Sequence, residues 1–445
     1  MHAKSYLWSL FLLIWGLVPV MVHAQSGEDL RAAQMLIGQQ NYTEAIQRLE
    51  AVSPADRTPE GHYLLGRSYQ ALFRHDRAVD AFRQADTSRV VVLSDLGESL
   101  DRLGMSADAE AAYRSAYQKD SLNQRVAVNY ARQLSERGRW LEVEAIYRKL
   151  VEADPQNAFL ETQLGTAYVR LAMPDSAIVH YELAHALNPR SVRTVLALTK
   201  VYYDMEFYLS AKRVVDRALD QRPRNPDLWR RRGEIALKEE EYRLAVEAFE
   251  NTIQYGDSTA KDLSKLGVSR YLSNDLEGAE EVLMRSFELD DQDVMNAFYL
   301  GMAKQQLQAF DEALTYLNHA ADLIGEGLLA DVKSRIGNTY DQMKAYPEAI
   351  KAYRLAINLD GRTEALFHLA AVYDVYYADK KMAQEQYERF LSQVEEGQMP
   401  QMQNYARQRI QEIKEGEFFR NRPAPPPTEL DTVVVAPDTT EGDER

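Results

Sequence analysis

Past the first two dozen residues, apolar side chains recur at the spacing of short amphipathic helices separated by polar turns. Leu164, Gly165 and Tyr168 lie along one helical stripe, and Ala177, Tyr181 and Ala184 recur at i, i+4 and i+7 on the next helix. Asn188-Pro189 ends that second helix, as Pro155 and Pro223 end two others, because proline lacks the amide hydrogen and restricts the residue before it. The pattern is periodic. Alanines stand at Ala109, Ala177, Ala211, Ala245, Ala279 and Ala313, spaced 34 residues or twice that, with Val143 in the gap. Spacings of 31 to 36 add Ala45, Ala78 and Ala349, and twelve residues upstream of these alanines lie Ala33, Gly66, Gly97, Gly165, Gly233, Gly267, Gly301 and Gly337. Eleven two-helix units follow, starting near residues 26, 59, 90, 124, 158, 192, 226, 260, 294, 330 and 363. The small residues let paired helices approach, and the tyrosines fill the space between neighbouring pairs. A chain of 445 residues is too long for one core, and a stack of repeats removes the need for one.

At these residues the sequence resembles the tetratricopeptide-repeat family. Its pattern of Trp, Leu-Gly, Tyr, Ala, Phe/Tyr, Ala and Pro appears as Trp229, Gly233, Ala245 and Phe249 in the seventh unit, and as Gly337, Tyr340, Ala349, Tyr353 and Ala356 in the tenth. The resemblance covers about residues 26–392 and implies an all-α superhelical solenoid of about eleven helix-turn-helix units. It departs at Thr199, which replaces a small residue, at Arg232 and Arg270, which occupy apolar or aromatic sites, and around Met382-Ala383, where the eleventh unit slips by one residue.

The ends have other compositions. Residues 1–24 carry Lys4 as their one charge, an apolar run from Tyr6 to Val22, and Val22-His23-Ala24 before Gln25, which reads as a cleaved secretory signal peptide. The alternative is an uncleaved anchor, which Gly16 and Pro19 disfavour by interrupting the run. The solenoid is expected over 25–392 and a capping helix over 393–420, since a terminal repeat otherwise exposes its apolar face. Residues 421–445, with Pro423, Pro425, Pro426, Pro427 and Pro437 among Thr, Asp and Glu, read as a disordered acidic tail.

Composition narrows the function. There is no cysteine, which excludes a disulfide framework, thiol catalysis, Cys-ligated metal and a lipoprotein anchor. In an exported protein that absence leans toward a bacterial envelope, periplasmic or outer-membrane-associated in a Gram-negative cell. With 52 basic against 68 acidic residues, a formal charge of −16, general nucleic-acid binding is disfavoured. Near-motifs carry little. Gly61 to Ser68 imitates a phosphate loop but has Arg67 where lysine is needed and lies inside a repeat helix; Gly325 to Ala330 has no preceding strand; Ser258-Thr-Ala-Lys261 lacks the other motifs of serine acyl-enzymes. His180 and His185 are five apart and face different sides of a helix. No catalytic residue, metal, cofactor or small-molecule substrate is expected, so the chain reads as a non-enzyme.

Binding is the physical alternative. In this family the exposed face of each first helix, at repeat positions 2, 5, 6, 9, 12 and 13, generally holds protein segments. In units four to eight those positions carry Arg125, Arg132, Arg170, Arg193, Lys200, Arg230, Arg231, Lys238, Lys261 and Lys265 against Glu136, Asp204, Asp227 and Glu234, a surplus of +6. Units one to three give −1. Units nine to eleven give −3, with Arg335 against Asp331, Asp341, Glu364 and Asp374. Two readings of the basic stretch stand. One is salt bridging between neighbouring helices. The other is a groove for an acidic, extended or C-terminal peptide segment, including the chain's own tail around Thr432 to Val435. Unit nine adds Met295, Phe298, Tyr299 and Met302, either core packing between units or an apolar shelf in the groove. The expectation is therefore a protein-binding scaffold of the cell envelope, in peripheral association with an envelope complex. The alternative is a permanent structural subunit of an envelope or secretion assembly.

Overall fold

The computed structural model describes residues 26–420 other than 396; the leader and the tail considered above lie outside the described residues. Among the described residues there are 23 helices, α1 to α23 in chain order, and no strand. They fall into two compact units that divide after Gln221.

The first unit holds six helical hairpins, from α1 (Gly27–Gly38) paired with α2 (Tyr42–Glu50) to α11 (Val192–Asp204) paired with α12 (Tyr208–Gln221). The second holds five, from α13 (Pro226–Lys238) paired with α14 (Tyr242–Tyr255) to α21 (Thr363–Tyr376) paired with α22 (Lys381–Gln393), and then α23 (Pro400–Arg420). In each unit every hairpin packs on the next one in sequence, which is the contact scheme of a solenoid.

In ten of the eleven hairpins, all but α21–α22, the turn is made by one residue in the left-handed region. These are Gln40, Phe73, Gly104, Gly138, Ala172, Glu206, Glu240, Asn274, Gln308 and Lys344. The amide that follows bonds back five residues, as Met173 does to the Tyr168 carbonyl at 2.9 Å and Asp275 to Arg270 at 2.9 Å, so carbonyls orphaned at the end of the first helix are satisfied. The helices that precede Pro155, Pro189 and Pro223 end at Ala153, Leu187 and Gln221.

The alanine progression is core. Ala45, Ala78, Ala109, Ala177, Ala211, Ala245, Ala279, Ala313 and Ala349 are all fully buried. The upstream glycines have a complementary task, since each lies under a large side chain sixteen residues later: Phe82 over Gly66, Tyr113 over Gly97, Tyr181 over Gly165, Phe249 over Gly233 and Tyr353 over Gly337. Where the unit carries leucine instead, Leu283 and Leu317 cover Gly267 and Gly301.

The departures from the repeat pattern are absorbed locally. Thr199 is fully buried and its hydroxyl donates to the Leu196 carbonyl at 3.2 Å. Arg270 reaches Glu250 at 2.8 Å and the Gly278 carbonyl at 3.3 Å. At the end of the second unit, α23 packs on α22, buries Ala406, Ile410 and Ile413, and is tied to α21 by Arg409, whose guanidinium spans both oxygens of Asp374.

Candidate functional site on the first-helix face of the second unit

The basic positions separate once their partners are known. In the first unit Arg125 bonds Asp95 at 2.6 Å and Glu98 at 3.1 Å, and Arg132 bonds Asp101 at 2.7 Å and Glu136 at 3.1 Å. Lys200 reaches Asp204 one turn along its own helix at 2.9 Å. In the second unit Arg230 grips both oxygens of Asp262, at 2.7 and 3.1 Å, and Arg231 and Lys265 both bond Glu234. Arg170 lies 5.5 Å from the Trp140 ring centroid. Arg193, Lys238 and Lys261 are solvent-exposed and have no ion-pair partner among the described residues. Much of the expected surplus is thus held within and between neighbouring first helices, and the cations without an ion pair are exposed.

Phe298 and Met302 lie elsewhere. Both are half-buried and line a cavity of about 350 Å³ in the second unit. Three successive first helices build it: α15 (Ala260–Leu272) contributes Tyr271 and Leu272, α17 (Val294–Gln306) contributes Met295, Phe298, Tyr299 and Met302, and α19 (Glu326–Gln342) contributes Leu328, Asp331, Val332 and Arg335. The local sequence fixes these helices. Thr259 caps α15 by accepting from the Asp262 amide at 3.1 Å, and Asp293 caps α17 by accepting from the Met295 and Asn296 amides at 3.0 and 3.2 Å. Tyr271 stands edge-on to Tyr299 with centroids 5.3 Å apart, and its hydroxyl accepts from the Gln306 side chain at 2.6 Å. Burial pushes the titration of both phenols up, so they stay neutral.

One feature of α19 shapes the cavity. It has 17 residues where α15 and α17 have 13, and its early turns bring Leu328 over the opening, with Ile324 just before the helix also in the wall. Met295 and Leu328, 43% and 48% exposed, form its lips. Arg335 is half-buried at the polar end. Among the described residues its guanidinium makes no ion pair or hydrogen bond; of the nearby acids, Asp331 bonds Arg362 at 2.7 Å and Glu364 is 3.7 Å from His368. The nearby His368 imidazole, aided by the Arg335 and Arg362 charges, lowers the Glu364 pKa despite burial. An apolar trough ending in an unoccupied guanidinium can hold an apolar side chain and a carboxylate together.

Family models described as tetratricopeptide repeat match residues 59–89, 196–261 and 330–363. The chain is a tetratricopeptide-repeat protein. No curated protein matches it. Solved structures similar to it include the Cut9–Hcn1 hetero-tetramer of the APC/C, at 16% identity over 87% of this chain and 89% of that one with a TM-score of 0.44. A tetratricopeptide repeat protein from Parabacteroides merdae gives 16% identity over 62% and 97% with a TM-score of 0.39, and yeast Tom70 gives 14% over 88% and 96% with 0.37.

The remaining near-motifs of this tetratricopeptide-repeat chain have structural explanations. Gly61 to Ser68 lies inside α3 (Pro59–Ala71), where Phe82 covers Gly66. His180 bonds the buried Glu161 at 2.7 Å, and burial, with the Arg217 charge adding, lowers the His185 pKa. Among the described residues no group of three His, Asp or Glu is placed to hold a metal ion, and no helix is long and apolar enough to cross a membrane. Sequence reasoning named Phe298 and Met302 but missed Leu328 and Ile324. Their signal was the 36-residue step from Ala313 to Ala349, two residues longer than the common spacing.

Proposed function

We propose that this chain is a non-enzymatic interaction scaffold of the bacterial cell envelope that holds a segment of a protein partner against the first-helix face of its second unit. The observation that carries the reading is the cavity between α15, α17 and α19, which is mostly apolar and ends in Arg335, whose guanidinium has no ion pair among the described residues. Buried apolar area supplies affinity there, and the cation supplies orientation. The envelope setting draws on the signal-like residues 1–24 and the absence of cysteine. It is tested by sequencing the N-terminus of protein recovered from a periplasmic fraction, where a mature chain beginning at Gln25 is expected and a chain retaining Met1 in the cytoplasm contradicts it.

The binding reading is tested by filling the cavity. Met302→Trp should abolish partner association while leaving the helix content unchanged; association that survives the change contradicts the proposal. A second reading, a permanent structural subunit, draws on the first unit, where Leu141, Val179, Leu183 and Leu209 on second helices are exposed. It is favoured instead if association survives Met302→Trp and is lost on Val179→Glu with Leu183→Glu.

A further inference from the structure

We propose that the cavity is built for an internal, extended partner segment carrying one large apolar side chain and, two residues along on the same face, a single side-chain carboxylate that Arg335 receives. This rests on the reading above and adds the chemistry of the occupant.

The spacing comes from the helices. Leu328, Val332 and Arg335 form one stripe of α19, and Met295, Phe298 and Met302 form one stripe of α17. From Leu328 to Arg335 the axis advances about 10 Å, so the apolar end and the cationic end of the trough are well separated. A chain terminus carries its carboxylate and its last side chain on one Cα, too close together to serve both ends. Alternate residues of an extended segment lie on one face about 7 Å apart, and the reach of the Arg335 and carboxylate side chains closes the rest.

The charge pattern limits the occupant to one carboxylate. Arg335 is half-buried beside Val332 and the aromatic wall, so it is poorly hydrated and gains more from a bidentate carboxylate than Arg193, Lys238 or Lys261 would in open water. Asp331 and Glu364 flank it, each already partnered. A second negative charge on the ligand meets these carboxylates and is repelled. The occupant is therefore apolar with one acid.

The test uses the full chain and three capped fluorescent peptides: acetyl-Gly-Phe-Ser-Asp-Gly-amide, its Asn analogue in place of Asp, and its Gly analogue in place of Phe. Anisotropy should show the Asp peptide binding at least about 10-fold more tightly than either analogue, the scale of one charge-assisted bidentate contact. Arg335→Gln should erase the preference for Asp over Asn, and Arg335→Lys should keep part of it, which guards against a folding artefact. Met302→Trp should remove binding of all three. Equal affinity for the Asp and Asn peptides, or a preference untouched by Arg335→Gln, overturns the proposed ligand chemistry. If binding still depends on Met302, the groove reading survives; if it does not, that reading fails too. A free-acid peptide ending in Phe that outcompetes the capped Asp peptide overturns the internal-segment assignment. Binding that appears only after removal of residues 421–445 makes the chain's own tail the occupant and overturns the external one.

Discussion

Gly165 lies directly beneath the ring of Tyr181: a Cβ on the glycine would meet Cδ1 and Cε1 of the ring at 2.8 Å. The ring is buried, and its hydroxyl is held 3.0 Å from that of Thr166, so it has little room to give way. Gly165→Ala should therefore destabilise the first unit. Overpacking costs about 1–3 kcal/mol, of which better helix propensity returns at most about 1. Gly416 in α23 has open space where its Cβ would go, so Gly416→Ala should stabilise by about 0.5–1 kcal/mol. Thermal melts of the two variants should shift in opposite directions.

Ala172 makes the turn between α9 (Ala158–Arg170) and α10 (Pro174–Leu187) at φ 57°, where glycine suffers no Cβ clash. Replacing an exposed alanine there removes about 1–2 kcal/mol of strain, offset in part by the greater freedom of glycine in the unfolded chain. Ala172→Gly should raise the melting midpoint of the full chain. The same change at Ala177, in the fully buried progression, should lower it.

Asp262 is 2% exposed and receives Arg230 and the Thr259 hydroxyl. Burial pushes its pKa up, but the hydrogen bonds from Arg230 and Thr259 outweigh that and hold it below the usual 3.8. A carboxyl with a lowered folded pKa contributes stability that is full above its unfolded value and fades as pH falls through the folded one. Arg230→Ala should cost about 2–4 kcal/mol at pH 7, less than a fully buried pair because the guanidinium is partly exposed. The gap between wild type and variant should narrow below about pH 4 as Asp262 protonates. A gap that stays constant down to pH 2 contradicts this assignment.

The hairpins and their core were legible because each side chain's burial depends on its own place in the repeat. Ala177 and Gly165 could be read from their neighbours alone. Charge compensation was harder, because it runs between repeats: Arg125 meets Asp95, Arg132 meets Asp101 and Arg230 meets Asp262, partners 30 to 32 residues apart. That separation is close to one repeat length, so the pairs were present in the sequence, yet a sum over helix positions counts the cations as surplus. Arg335 shows the converse. It belonged to a stretch with net negative charge, and only the engagement of Asp331 by Arg362 and of Glu364 by His368 leaves it open. The cavity depends on the length of α19, which a count of charged positions does not register.

The most direct test of the scaffold reading places a photo-crosslinking side chain at Met295, on the lip of the cavity, and in a separate variant at Leu141 on an exposed second helix of the first unit. Irradiation in living cells followed by sequencing of the joined peptide reads the occupant and its position at once. The account expects an adduct at position 295 whose partner segment carries an apolar residue two positions from a single acid, lost with Met302→Trp and absent at position 141. An adduct at 141 alone, or one at 295 that persists when the cavity is filled, would contradict it.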